Sequence, residues 1–279
     1  MVALDDCRPA IAHSRLNDIV PDHSNERDGS SVAHVLLAGL AAAVVFAVIS
    51  VVVSRTEPDI APVHAVYQVE GFGCRRLPTR TVATVVALSP DGGPQILLSV
   101  AHGVVGQDRI ELSAGQRRIA LETLAVDTEW DLALLRPAEV LVDDSGTVIE
   151  PVRFAAPREG NAKVVIFVDS HSGREPTTRS AIIERRLRIR TEDIYLQDVQ
   201  GRELRPGLRL QAEVVVGDSG APVFNPNGEM VAIIWGASRK VGTRAWATRV
   251  EAADALLQQA IERIRANRAE SVSALACAK

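Results

Sequence analysis

The chain has 279 residues, of which 47% are hydrophobic, 24% charged and 4% aromatic, which excludes wholly disordered, collagen-like and coiled-coil chains. The formal net charge of −4 lacks the basic excess that accompanies nucleic-acid binding, so no nucleic-acid partner is expected. Three scattered cysteines are too few for a zinc ribbon or a disulfide-dense scaffold, and we predict neither a metal nor a cofactor.

The first element along the chain is an apolar run over residues 32–53. Its 22 residues contain no Asp, Glu, Lys or Arg. As a helix it would extend about 33 Å, enough for a hydrocarbon core of about 30 Å. The alternatives are a buried helix and a signal peptide, but 31 mostly polar residues precede the run, unlike the short basic start of a signal peptide. We therefore expect a retained single transmembrane helix over 32–53 after a disordered tail over 1–31.

The orientation of this helix follows from the flanking cations. Arg15 and Arg27 lie upstream of the run, and Arg55 lies close downstream. Positive residues favour the cytoplasmic side, so we predict a single-pass protein of the cell membrane with a cytoplasmic N-terminus. A linker over 54–72 would then lead to an extracytoplasmic domain over 73–279.

Short runs rich in Val, Ile, Leu and Thr alternate with turn signals beyond the linker, which predicts an all-β domain. The candidate strands are Thr81–Leu88, Gln95–Val100, Asp108–Leu112, Leu132–Arg136, Lys163–Val168, Ile182–Arg190, Ile194–Val199, Leu208–Val216, Met230–Trp235 and Ala245–Val250. A segment rich in Asp, Gly and Pro between Val142 and Asn161 divides them into two groups. Two packed β-barrels, over about 73–150 and 160–250, fit this pattern. Helical spacing follows Val250 and predicts one C-terminal α-helix over 251–268.

Three short stretches carry residues suited to nucleophilic catalysis. A histidine, His102, ends an apolar strand; an aspartate, Asp131, begins another; and a serine, Ser219, lies in a glycine-flanked turn. Each alone has an ordinary structural explanation: a hydrogen-bonded histidine, a turn cap and a tight turn. Their occurrence together, in the order His, Asp, Ser, predicts a catalytic triad.

The chemistry explains why these residue types belong together. A serine hydroxyl needs a base within hydrogen-bond reach, and a neutral imidazole supplies one. A buried carboxylate fixes the tautomer of the imidazole and stabilises the cation that forms. The N–H groups of Gly217 and Ser219 would form the oxyanion hole, where loss of one donor typically costs about 10²–10³ in turnover.

Chain order separates the folds that share this chemistry. An α/β-hydrolase needs a histidine after its serine, and no histidine follows Ser219. A subtilisin order needs a catalytic aspartate before the histidine, but Asp91 lies in a Pro-Asp-Gly-Gly turn. The high proportion of predicted strands also argues against the subtilisin fold.

The motifs resemble those of the trypsin-like serine proteases, in particular compact bacterial members related to the high-temperature-requirement proteases. Residues 98–102 (LSVAH) resemble the family's Thr-Ala-Ala-His motif, 130–135 (WDLALL) its Asp-Ile/Leu-Ala-Leu-Leu motif, and 217–222 (GDSGAP) its Gly-Asp-Ser-Gly-Gly-Pro motif. The resemblance implies two six-stranded antiparallel barrels with the site between them. His102 and Asp131 would come from the first barrel and Ser219 from the second.

The resemblance also implies a function. It implies a serine endopeptidase that acts on protein or peptide substrates through an acyl-enzyme intermediate. Residues 233–236 resemble the strand that lines the substrate cleft, which makes Ile234, Trp235 and Gly236 candidate substrate-binding residues. The alternatives are a catalytically silent binding or sensing ectodomain and a non-proteolytic esterase.

Several positions depart from the family pattern. Ala221 replaces the second glycine of the serine motif, and Gly103 stands where a cysteine often follows the histidine. About 29 residues follow Val250, too few for a PDZ domain, so we expect none.

Two acidic residues near Ser219 leave alternatives open. Glu213 lies six residues before Ser219, at the position that sets the basic preference of trypsin; it is either a pocket residue that selects Arg and Lys or a plain strand residue beside an apolar pocket. Asp218 either pairs with an amino terminus freed by cleavage, at Arg55 or Arg80, or is satisfied locally.

The cysteines fit the proposed topology. Cys74 and Cys277 would lie on the same side of the membrane, and Cys7 on the other. We predict a Cys74–Cys277 disulfide, with three free thiols as the alternative. In the chain-entropy model, closing so long a loop contributes on the order of 4–5 kcal/mol.

Overall fold

The computed structural model describes residues 61–73, 77–88, 93–170, 173–189, 204–238 and 240–266. The predicted transmembrane helix over 32–53, the predicted strand Ile194–Val199 and both cysteines of the predicted Cys74–Cys277 disulfide lie outside these ranges, and all three stay predictions. Within the described ranges, no helix has the length and hydropathy needed to cross a bilayer.

Twelve β-strands and one α-helix make up the described domain. The first six strands are β1 (Val66–Phe72), β2 (Thr79–Ala87), β3 (Gln95–Ser99), β4 (Arg109–Ala114), β5 (Arg117–Asp127) and β6 (Leu132–Pro137). The second six are β7 (Gly160–Ser170), β8 (Gly173–Ile189), β9 (Arg205–Gln211), β10 (Pro222–Phe224), β11 (Met230–Ala237) and β12 (Arg244–Arg249). The helix α1 spans Asp254–Arg265. Short 3₁₀ helices occur at Val63–Ala65, Ala101–Gly103 and Val250–Ala253.

The strands form two closed barrels. The first has the order β1-β2-β3-β6-β5-β4, and the second has the order β10-β11-β12-β9-β8-β7. Every pair of neighbouring strands is antiparallel, including the β1–β4 and β7–β10 pairs that close the barrels. Closure leaves neither sheet with an unpaired edge. The predicted all-β fold of two six-stranded antiparallel barrels with a C-terminal helix is confirmed.

The C-terminal helix joins the end of the chain to the first barrel. Leu256, Leu257 and Ala260 are buried and lie on one face, at the i, i+1 and i+4 spacing of an amphipathic helix. The helix packs against β5 and β6, although it directly follows the second barrel in the chain. It begins at Asp254 and ends at Arg265, within the predicted span of 251–268, because residues 250–253 form a 3₁₀ turn instead.

Three strands, β1, β5 and β10, were not predicted, and β1 falls inside the predicted linker over 54–72. The polar residues Gln68 and Glu70 of β1 are buried like the apolar residues beside them, so burial does not alternate along this strand. Glu70 is buried because Arg80 of β2 and Arg118 of β5 hydrogen-bond its carboxylate, at 3.0 and 2.6 Å. The first barrel therefore begins at Val66, earlier than predicted.

The strand predicted over Leu208–Val216 ends at Gln211. The valines at its predicted end are exposed, with Val216 fully accessible to solvent. The N–H of Val215 donates to the Asp218 carboxylate at 2.8 Å, and its carbonyl accepts the N–H of Asp218 at 3.0 Å. These bonds draw the segment out of the sheet and into the turn that carries Ser219.

Candidate active site

The sheet register of the first barrel brings His102 and Asp131 together. Strands β3 and β6 are neighbours, with Ser99 opposite Ala133. His102 lies just beyond the end of β3, and Asp131 directly precedes β6. The two residues therefore meet at one end of the barrel, where the N–H of Ala101 donates to the carbonyl of Asp131 at 3.2 Å.

The Asp131 carboxylate binds both the ring and the backbone of His102. Its Oδ2 lies 2.8 Å from His102 Nδ1, and its Oδ1 accepts the His102 backbone N–H at 2.8 Å. Because an ionised carboxylate only accepts hydrogen bonds, Nδ1 carries the hydrogen and Nε2 of a neutral ring is left as the basic nitrogen. The carboxylate is buried, whereas 24% of the His102 side chain is exposed. This arrangement suits a general base that faces a cleft.

Close packing behind His102 explains why a glycine follows it. A Cβ on Gly103 would lie 2.4 Å from Cγ2 of Thr81. The carbonyl of Gly103 accepts a hydrogen bond from the Thr79 hydroxyl at 3.1 Å. The family's cysteine would not fit at this position without a shift of β2.

Ser219 lies in a tight turn between β9 and β10. The N–H of Ala221 donates to the carbonyl of Asp218 at 2.9 Å, and the N–H of Gly220 donates to the carbonyl of Ile234 at 2.7 Å. Ala221, the departure from the family motif, is fully buried in the hydrophobic core. Its methyl group is therefore shielded from the solvent-accessible side of the turn, on which Ser219 lies.

The backbone of the serine turn is bonded to the first barrel. The N–H of Val82 on β2 donates to the carbonyl of Ser219 at 2.7 Å, and the carbonyl of Val82 accepts the Ser99 hydroxyl at 2.7 Å. Ser99 lies three residues before His102, so these bonds place Ser219 beside the end of β3. Within the described residues, the Ser219 hydroxyl makes no hydrogen bond to the His102 ring. In substrate-free enzymes such bonds are often long and tighten in the substrate complex.

Gly217 and Ser219 have N–H groups available to a ligand. Gly217 has a φ of +103°, a left-handed conformation that favours glycine. Among the described residues, neither N–H has a hydrogen-bond acceptor. A Cβ on Gly217 would lie 3.6 Å from Nη1 of Arg174, so a cation stands beside this loop. Two free N–H groups and a nearby cation suit a site that stabilises negative charge.

Only one oxygen of the Asp218 carboxylate accepts a hydrogen bond from its own turn. It is 1% exposed; its Oδ2 accepts the Val215 N–H, whereas Oδ1 has no hydrogen-bond partner among the described residues. Burial raises the pKa of this carboxyl, although the Val215 hydrogen bond and the charges of Arg174 and Arg179 act in the opposite direction. A buried carboxylate with one unbonded oxygen lies directly beside the predicted nucleophile.

The predicted cleft residues have different surroundings. Ile234 is buried, and its N–H and carbonyl both bond to the serine turn, at 2.9 Å to Ala221 and 2.7 Å to Gly220. Trp235 lies at a β-bulge. Ile234 pairs with Ala247 of β12, and Gly236 pairs with the adjacent residue Trp246, so Trp235 between them has no pairing partner of its own on β12. A bulge turns a side chain out of the regular alternation. Trp235 and Gly236 are therefore partly exposed, while Ile234 supports the serine turn.

Glu213 lies in the irregular segment after β9. Its side chain is 72% exposed, and its carboxylate is 3.8 Å from Nη1 of Arg179. The same guanidinium lies 3.4 Å from the Glu213 carbonyl. The position of Glu213 therefore leaves both predicted roles open.

Two residues around Asp131 were not predicted. Asp127 accepts the N–H groups of Glu129 and Trp130, each at 2.9 Å, and so shapes the turn that presents Asp131. An aspartate two residues before a turn is a known sequence signal and could have been recognised. Arg205 of β9 lies against the same turn, and no local pattern marks it, because its hydrogen bond to the Glu129 carbonyl spans 76 positions.

Comparisons with known proteins identify the family to which the chain belongs. The sequence pattern of the trypsin-like peptidase domain family matches residues 83–233. Serine protease Rv3671c of Mycobacterium tuberculosis is 24% identical over 187 residues, which cover 67% of this chain and 42% of the relative. The chain thus matches less than half the length of that relative.

Solved structures share the fold. The active form of the Rv3671c protease from M. tuberculosis superposes with a TM-score of 0.61 at 22% identity, covering 82% of this chain and 89% of that structure. The HtrA-type protease AlgW with a tripeptide gives 0.55 at 17% identity, covering 74% and 63%. The chain belongs to the trypsin-like peptidase domain family.

Proposed function

We propose that this chain is a membrane-anchored, extracytoplasmic serine endopeptidase that hydrolyses peptide bonds through His102, Asp131 and Ser219. The observation that carries the proposal is the double attachment of His102 to the buried Asp131 carboxylate, at 2.8 Å to the ring and 2.8 Å to the backbone. This attachment fixes one ring tautomer and leaves Nε2 as a base. Membership of the trypsin-like peptidase domain family supports the same reaction.

The reaction begins with the transfer of a proton from the Ser219 hydroxyl to His102 Nε2. The serine oxygen attacks the carbonyl carbon of the substrate, and the carbonyl oxygen becomes negatively charged. His102 then gives the proton to the leaving amine, and the carbon–nitrogen bond breaks to leave an ester on Ser219. Water, activated by the same imidazole, hydrolyses this ester and restores the hydroxyl.

Negative charge on the carbonyl oxygen would be stabilised by the N–H groups of Gly217 and Ser219. Both groups lack acceptors among the described residues, so no bond has to be broken before they bind substrate. Donors fixed in advance stabilise the transition state without reorganisation. The positive φ of Gly217 supports this role, because it presents the N–H without a side chain.

The membrane anchor is supported by the sequence alone. The 22 apolar residues at 32–53 match the length of a bilayer crossing, and the barrels lie wholly after them. Arginines at positions 15 and 27 favour a cytoplasmic N-terminus. The peptidase domain would then meet its protein or peptide substrates outside the cytoplasm.

The experiment is a cleavage assay on a peptide library, with the full-length chain purified in detergent. We expect cleavage by the wild type, and a loss of at least about 10³-fold in Ser219→Ala and in His102→Gln. The matched control is Ser145→Ala, which removes an exposed hydroxyl outside the site. Ester substrates are tested in parallel.

Each outcome of the assay separates the candidate functions. Cleavage of esters without peptides would contradict the endopeptidase in favour of an esterase. A wild type as inactive as Ser219→Ala on both substrates would contradict catalysis and favour a binding ectodomain. Cleavage after Arg or Lys that is lost in Glu213→Gln would assign Glu213 to the substrate pocket.

A further inference from the structure

Arg205 is a buried cation at the contact between the two barrels. It is the first residue of β9 in the second barrel, and its side chain is only 4% exposed. Burying a guanidinium is costly unless its charge and its N–H groups find partners. Its partners therefore indicate why the position carries an arginine.

Three contacts of Arg205 reach the candidate active site. Its Nη2 donates to the carbonyl of Glu129 at 3.1 Å, and its Nη1 lies 3.9 Å from Oδ2 of Asp131. Its guanidinium carbon lies 5.0 Å from the centre of the Trp235 ring, within the range of a cation–π contact. One side chain of the second barrel thus contacts both the turn that presents Asp131 and the tryptophan of the cleft strand.

The charge of Arg205 acts on the same carboxylate oxygen as the His102 ring. Asp131 Oδ2 lies 2.8 Å from His102 Nδ1 and 3.9 Å from the guanidinium. The acidic side chains on the same turn are Asp127 and Glu129, and both Glu129 and Arg205 act electrostatically on Asp127. A cation beside Asp131 opposes the formation of a second cation on His102. It therefore favours the neutral ring, which is the form that accepts a proton.

We infer that Arg205 is a positioning residue for the catalytic pair. Its guanidinium holds the Asp131 turn of the first barrel and Trp235 of the second barrel in one arrangement, and it keeps His102 neutral to lower pH. The inference rests on the proposed function, since it assigns Arg205 to the triad of that reaction. Arg205 acts through Asp131, and we assign it no contact with substrate.

The first test is the pH dependence of kcat/KM for peptide cleavage by the full-length chain. Arg205→Gln keeps a donor for the Glu129 carbonyl but removes the charge, so the acidic limb moves to higher pH, by about one pH unit. Arg209→Gln is the matched control, because Arg209 lies on the same strand and pairs with Glu184 on a partly exposed face. We expect the control to follow the wild-type profile.

A second variant separates charge from geometry. Arg205→Lys keeps the charge, but an ammonium group lacks the planar fork that contacts both the Asp131 turn and Trp235. We expect the acidic limb to stay in place while kcat falls about tenfold, with KM little changed. Arg205→Lys with wild-type kcat would overturn the bridging role.

The second test does not depend on activity. In ¹⁵N-histidine-labelled Ser219→Ala chains, NMR titration follows the His102 ring, whose signals are identified by their loss in His102→Gln. The midpoint is expected at higher pH when Arg205→Gln is added. Coincident midpoints would overturn the inference even if the wild type cleaves peptides. A shifted midpoint in a chain that cleaves nothing would support the role of Arg205 while the proposed function fails.

Discussion

Asp131 combines an uncommon backbone conformation with the central contacts of the site. Its φ of +58° makes it the one non-glycine residue with positive φ in the described part of the chain. Aspartate and asparagine tolerate this left-handed region better than other side-chain types. The conformation lets one residue bind the His102 backbone, the His102 ring and the Ala101 N–H.

Asp131→Asn should separate charge from shape. Asparagine accepts the same φ, so the fold should persist, but its amide is neutral and its NH₂ group cannot accept the hydrogen on His102 Nδ1. We expect kcat for peptide cleavage to fall by about 10⁴. The control is Asp144→Asn, an exposed carboxylate outside the site. A kcat for Asp131→Asn within threefold of the wild type would contradict the role of Asp131.

Asp218 supplies a prediction about stability and pH. Burial raises the pKa of the Asp218 carboxyl in the folded state. The protonated carboxyl therefore stabilises the fold, fully at pH values below its unfolded pKa of about 3.9. This stabilisation is lost as the pH rises through the folded-state pKa. Asp218→Asn keeps an acceptor for the Val215 N–H without the buried charge. We expect urea unfolding to show a more stable variant at pH 7, with the difference shrinking towards pH 4. A difference that is constant with pH, or of opposite sign, would contradict this explanation.

At the scale of elements, turns and strand pairs position the candidate catalytic groups. The register between β3 and β6 brings His102 to Asp131, and the bonds from Val82 and Ile234 fix the serine turn. Little space remains between the serine turn and β2, because a Cβ added to Gly220 would lie 1.9 Å from the carbonyl oxygen of Val82.

Gly220→Ala should destabilise the fold much more than the replacement of a glycine that has open space around it. Gly220 and Gly146 both have positive φ, +90° and +83°, but Gly146 has open space around it. Both alanine variants bear the left-handed strain, and only Gly220→Ala adds the clash with β2. We expect Gly220→Ala to lose about 2–4 kcal/mol more free energy of unfolding than the control Gly146→Ala, as measured by urea denaturation. Equal losses in the two variants would show that Val82 does not confine the turn.

The sequence predicted the elements whose residues follow a local pattern. His102, Asp131 and Ser219 could be selected because each lies in a short motif, and their order indicated the fold. Strand β1 was missed because its buried Glu70 is stabilised by arginines on other strands. The end of β9 was misplaced because Val215 and Val216 are as apolar as strand residues, yet they are exposed in a turn stabilised by Asp218. Arg205 was missed because its role depends on tertiary contacts alone.

At the scale of the whole molecule, the site depends on both barrels. The second barrel reaches the first through the Ser219 carbonyl, the Arg205 guanidinium and the Thr248 hydroxyl, which lies 3.4 Å from the carbonyl of Trp130. Helix α1 adds a further connection to β5 and β6. The candidate catalytic residues are therefore supplied by both barrels, and their proposed meeting requires the two barrels to be packed together.

The proposed anchor can be tested in cells that express the full chain. We expect the wild type in the membrane fraction after an alkaline wash, with its C-terminal domain accessible to protease added outside. Val44→Asp with Val45→Asp places two charges in the apolar run, each costing about 3 kcal/mol for insertion, so this variant should leave the membrane. The control places Asp at Ala10 and Ala12 of the tail. A wild type found in the soluble fraction would contradict the anchor.

The most direct test of the central claim is the reaction of the full-length chain with a fluorophosphonate, which phosphonylates a serine only when a neighbouring base activates it. Tandem mass spectrometry of the digested product locates the modified residue. We predict one adduct, on Ser219, that is absent in Ser219→Ala and strongly slowed in Asp131→Asn. An unmodified Ser219 in the wild type, or an adduct on another serine alone, would contradict the claim that His102 and Asp131 activate Ser219.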